Sequence, residues 1–153
     1  MSRQIRVNNR KRCLEWEFTK TTLSFPFSKL KVIPTAEDPV AEIYLDKEAA
    51  SQWANYRLKS GKQGNIPLDA FLEYNRDPEY LRKMVLYDLT SKANKQIKKE
   101  KIAKRELARK LKTSPAQLYR LLNTANYTKT IDQMVRLLAV MGNELVIELK
   151  KAA

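Results

Sequence analysis

Apolar and polar residues alternate with a period of two through the first half of the chain, and in the second half the apolar ones fall three or four apart, so strands are expected before helices. In residues 13–18, Leu14, Trp16 and Phe18 alternate with Glu15 and Glu17, the spacing of a strand with one buried face. Residues 22–33 continue the alternation through Leu23, Phe25 and Phe27, and Pro26, which has no amide hydrogen, places this strand at a sheet edge. Residues 40–45 and 53–59 are two further strands, followed by a turn with two glycines at 60–65. Residues 66–75 read as a short strand entering a helical turn. The counts predict one small, mostly antiparallel sheet of about four or five strands. Trp16 and Trp53 both fall in this half and are read as core residues.

Asp77, Pro78 and Glu79 mark a helix start: Asp caps, Pro takes the first position and Glu suits the positive end of the dipole. Leu81, Met84, Val85, Leu89, Ala93 and Ile97 keep helical spacing to about Lys99. Residues 96–112 contain neither Gly nor Pro, so periodicity alone lets this helix run on to Lys112. Leu107, Ala108 and Leu111 share one face, with Arg105, Arg109, Lys110 and Lys112 elsewhere. Ser114 and Pro115 are an N-cap and a first helical residue, so a helix restarts there. Leu118, Leu121 and Leu122 form its buried stripe, leaving Ala116, Gln117, Tyr119 and Arg120 to face outward. After a polar stretch, Thr130 caps a helix with an apolar stripe of Ile131, Met134, Leu137, Leu138 and Met141, ended by Gly142. Leu145, Ile147 and Leu149 alternate with Glu144, Val146 and Glu148 and predict a short terminal strand that needs the N-terminal sheet, a second copy or another protein to pair with. The expected fold is α+β: a small antiparallel sheet, then a C-terminal helical bundle with a helix-turn-helix and a short terminal strand. The expected domains are 1–78, β-rich and serving partner binding or dimerisation, and 79–153, basic and DNA-binding.

Charge sharpens this division. The formal net charge is +13. Residues 1–78 hold 13 Lys or Arg against 10 Asp or Glu, a net of +3, whereas residues 79–153 hold 17 against 7, a net of +10. A basic excess beside a helix-turn-helix pattern points to phosphates, a solvated helix face being the plainer alternative. The chain has no His and a single Cys13, which leaves no disulfide framework and no conventional zinc site. No run of about 18 apolar residues exists, and the first residues lack the apolar centre of a signal peptide; a cytoplasmic protein with no membrane partner is expected. No Gly-rich phosphate loop or nucleophile elbow is present, so no catalytic residue, metal or cofactor is expected and the chain is read as a binder, not an enzyme.

The pattern of residues 106–122, ELARKLKTSPAQLYRLL, resembles bacterial regulators of the Xre (Cro/cI-like) helix-turn-helix family, most closely its antitoxin-type members, over the last third of the chain. The resemblance, not the periodicity, implies a helix break near residues 100–103. Lys112 stands where the family's turn has glycine, and Ala103 where the first helix has a Ser or Thr cap. The resemblance implies a sequence-specific transcription regulator of the repressor type that binds an operator duplex as a homodimer and, in the antitoxin case, neutralises a cognate toxin and represses their shared operon. Carried across by position, Pro115, Ala116, Gln117 and Arg120 would face bases: Arg120 a guanine, Gln117 an adenine, and Pro115 or Ala116 a thymine methyl. A helix-surface ion pair is the alternative for Arg120. Lys104, Arg105, Ser114, Tyr119, Asn123, Asn126, Tyr127, Thr128 and Lys129 would contact phosphates. Two rival readings remain open: a non-specific nucleic-acid binder, which holds random and operator duplexes equally, and a protein-interaction adaptor, which binds no DNA.

Overall fold

The computed structural model describes residues 3–152. The chain divides into two compact units, one ending at Leu81 and the other beginning at Arg82.

The first unit holds two three-stranded antiparallel sheets where one sheet was expected. One is β1 (Gln4–Asn8), β2 (Cys13–Glu17) and β3 (Thr22–Pro26) in that order; the other is β4 (Val40–Leu45), β5 (Trp53–Leu58) and β6 (Gln63–Pro67). Alternation identifies a strand's buried face but not its neighbours; β1 escaped the expected set, and β6 begins at Gln63, inside the expected turn, before the short strand expected from residue 66. The inward rows of both sheets share one core. Leu14 and Trp16 meet Ala54, Tyr56 and Leu58 there, with Phe71 of α1 (Leu68–Tyr74) set edge-on to Trp16 at 5.1 Å between ring centres. Trp53 departs from its expected place: it points outward from β5 and is 40% exposed. β3 is an edge strand, as Pro26 implies. Its backbone groups at Ser24 are met by the Asn75 side chain, whose Nδ2 donates to Ser24 O (2.9 Å). An edge satisfied in this way is a poor template for another strand.

The second unit is helical: α2 (Pro78–Lys99, whose first turn lies in the first unit), α3 (Lys104–Lys110), α4 (Pro115–Leu122) and α5 (Ile131–Val140). Asp77 caps α2 by accepting from the Tyr80 amide (2.9 Å). Leu86, Leu107, Leu118, Met134 and Leu137 build a single aliphatic core. Two expectations fail here. Residues 143–149 form no strand, because among the described residues of the unit no strand offers a ladder to their backbone groups. A regular helical bundle is not formed either: α3 and α4 have seven and eight residues, too few turns to pack side by side along their length.

α2 stops before α3 although no glycine marks the stop. The Ile102 amide donates back to Ile97 O (3.0 Å) while Lys101 takes the left-handed conformation at φ 51°. α3 ends alike: Lys112 lies at φ 54°, its amide bonds to Arg109 O, and the Thr113 amide bonds to Ala108 O, both at 3.0 Å. This is the six-to-one, five-to-two pattern that normally selects glycine. Lysine bears a steric cost in it, set against a cation's attraction to a helix C-terminus.

Candidate nucleic-acid interface

α3 and α4 are joined by four residues, 111–114, and meet through Leu107 and Ala108 on one side and Leu118 and Leu122 on the other. These positions bury the facing stripes of two amphipathic helices, so the opposite side of α4 faces water. The Ser114 hydroxyl accepts from the Gln117 amide (3.2 Å) and Pro115 takes the first helical position, which starts α4 at a fixed residue. Pro115, Ala116, Gln117, Tyr119 and Arg120 are all exposed. Among the described residues Arg120 has no carboxylate partner, whereas Arg109 pairs with Glu106 and Arg136 with Asp132. The ion-pair alternative therefore describes those two arginines and not Arg120.

Beside this surface, Lys104 and Arg105 open α3. Lys104 Nζ lies 5.3 Å from the centre of the Tyr119 ring, and both basic residues line a shallow cleft of about 200 Å³ with Pro115, Leu118 and Tyr119. The cation over the ring holds Tyr119 toward α3. Its ring is thus positioned sideways on α4, next to basic side chains.

The loop after α4 is divided between exposed groups and groups turned inward. Asn123 and Thr128 are exposed. Asn123 Oδ1 accepts from the Ala125 amide, and Thr128 Oγ1 donates to Asn126 Oδ1 (2.7 Å). Asn126 Nδ2 donates to Arg120 O (3.1 Å). Tyr127 is half-buried, its carbonyl accepting from Arg82 (3.1 Å) and its ring lying under Lys83 Nζ. Lys129 does not belong with the outward set. It is 4% exposed, and its Nζ donates to Leu121 O and Asn123 O, each at 2.9 Å. Its ammonium sits on the negative end of the α4 dipole, which repays part of the desolvation that pushes its pKa below the ordinary lysine value. A lysine after a helix is read from sequence as a surface cation; only the packing turns this one in.

One contributor to the site was missed. Asn94 of α2 donates through Nδ2 to Leu122 O (2.9 Å), so Asn94, Asn126 and Lys129 together satisfy three successive carbonyls that end α4. An asparagine inside a long helix is out of place by propensity, and that was the available signal. Among the described residues no cluster of His, Cys, Asp or Glu is arranged to hold a metal ion, and no helix is long and apolar enough to cross a membrane. No family model, curated protein or solved structure matches this chain.

Proposed function

We propose that the second unit binds double-stranded DNA sequence-specifically, with α4 in the major groove, and that the protein acts as a homodimeric transcription regulator of the repressor type in the cytoplasm. The observation that carries this reading is the outward face of α4: a helix with a fixed, capped start presents Gln117 and an Arg120 free of carboxylates, and its far end is held by three side chains. Arginine and glutamine are the side chains best matched to guanine and adenine edges. Lys104, Arg105, Tyr119, Asn123 and Thr128 are the phosphate-contacting set, with the Ser114 hydroxyl at the helix start, and the net charge of +10 over residues 79–153 supplies affinity. One such module reads few base pairs, so two copies on half-sites about one helical turn apart are required. The resemblance to antitoxin-type regulators extends the proposal to a protein partner, such as a cognate toxin, for the first unit; co-expression with the product of the adjacent gene and co-purification tests that part.

The test is fluorescence anisotropy with a duplex from the protein's own upstream region and a scrambled duplex at two salt concentrations, for wild type and Arg120→Ala. We expect a preference above about a hundredfold, reduced by about 1–3 kcal/mol in Arg120→Ala. Equal affinity for both duplexes, followed by failure of random-site selection to enrich any sequence, overturns base reading in favour of a general phosphate binder.

A further inference from the structure

Residues 143–150 follow α5 without pairing to any strand. They also carry the most exposed large apolar side chains among the described residues: Val146 is 79%, Ile147 77% and Leu149 94% exposed. Leu145, on the same alternating face as Ile147 and Leu149, already packs against the aliphatic core of the helical unit. The apolar face thus begins on the core and continues into water, which is unfavourable for a chain on its own.

We propose that this segment is the interface with a second copy of the chain, the two copies lying antiparallel about a two-fold axis through Ile147. Charge selects the occupant and the register. With the axis at Ile147, Ile147 opposes its own copy, Leu145 opposes Leu149, and Glu144 opposes Lys150. Directly opposed residues share a face, so the two chains bury Leu145, Ile147 and Leu149 together while two Glu144–Lys150 pairs form on the other side. An axis at Val146 sets Glu144 against Glu148, and an axis at Glu148 sets that residue against itself. A half-residue shift toward Val146 sets leucines against glutamates, one toward Glu148 sets Leu145 against Lys150 and Ile147 against Glu148, and a parallel, in-register arrangement stacks each glutamate on its copy. Only the first arrangement buries Leu145, Ile147 and Leu149 against one another without opposing like charges, Val146 then lying opposite Glu148. The backbone groups that find no ladder within one copy find one between two, which is why the pairing is a property of the dimer and not of the single chain. This interface is one that the two-copy DNA reading needs, and its test requires no DNA, so the two fail separately.

The experiment uses the full chain and introduces cysteine singly at Ile147, Val146 and Glu148, with the parent protein, whose Cys13 is buried, as control. Under mild oxidation Ile147→Cys is expected to form a disulfide-linked dimer at least about tenfold faster than Val146→Cys or Glu148→Cys, since only position 147 meets its own copy at disulfide distance. In light scattering, Glu144→Lys weakens association at least about tenfold and Glu144→Lys with Lys150→Glu restores it, because the exchange regenerates the same pairs. Equal crosslinking at the three positions, a charge exchange that restores nothing, or a parent protein that stays monomeric at high concentration overturns the proposal. All these side chains are exposed, and circular dichroism verifies that each variant is folded.

Discussion

In the strand unit the buried ionic side chain is a carboxylate; in the helical unit it is an ammonium. Glu15 lies inside the β1–β2 pair, where Asn8 Nδ2 donates to Oε1 and Arg6 Nε to Oε2, both at 2.7 Å. Lys129 instead donates to backbone, resting on the carbonyls of Leu121 and Asn123. A sheet places opposite residues side by side, so a neighbouring strand supplies the compensating side chain. A helix presents partial charge at its end, so backbone geometry supplies it. Glu15 therefore depends on two other side chains and on pH, whereas Lys129 depends on where α4 ends, which ties a buried charge to the placement of the proposed DNA-reading helix.

The most disruptive way to sharpen this contrast is to open each core. Phe71→Ala in the strand unit is expected to cost about 3–5 kcal/mol and Leu118→Ala in the helical unit about 2–5 kcal/mol, read from urea titrations followed by circular dichroism. Lys129→Met keeps an unbranched side chain one atom shorter but strands two carbonyls, costing about 1–3 kcal/mol; native-state hydrogen exchange is expected to show the loss concentrated in residues 115–129. A loss spread evenly over both units breaks the comparison.

pH separates the two groups further. Hydrogen bonds from Asn8, then Arg6, hold the Glu15 carboxyl below the ordinary glutamate value. A group lowered in the folded state adds stability above its unfolded value, about 4.3, and that stability is lost as pH falls through the lowered folded value. Glu15→Gln is expected to flatten the acid limb of the stability profile; an unchanged limb means that the carboxylate is not its source. The smallest effect has the opposite sign: Lys112→Gly relieves the left-handed lysine and is expected to raise stability by about 1 kcal/mol in the same titrations.

Elements held by local rules were readable from the residues. Asp77 with Pro78, Ser114 with Pro115, and Thr130, which forms a capping box with Gln133, start their helices where side-chain chemistry puts them. The stop after Lys99 was hidden because Lys101 replaces the glycine that would have announced it. Two sheets looked like one because register arises between distant segments: Leu14 opposes Val7 on one side and Phe25 on the other, and nothing inside residues 13–17 specifies either neighbour. The terminal strand expected from Leu145, Ile147 and Leu149 does not form, because alternation describes a strand's preference and cannot provide its partner. At the candidate interface the outward face of α4 followed from helical spacing. The inward turn of Lys129 and the contribution of Asn94 did not, since both depend on where the carbonyls of α4 end in space.

Both tryptophans belong to the strand unit, and the helical unit has none. Trp16 is fully buried with no hydrogen-bond partner for its Nε1 among the described residues, while Trp53 stands in water. The protein therefore contains its own pair of optical probes on one side only: an indole in an apolar, unbonded setting emits toward the blue and a wet one toward the red. Intrinsic emission excited at the indole band reports the strand unit alone, in two colours, and stays silent about events confined to the helices.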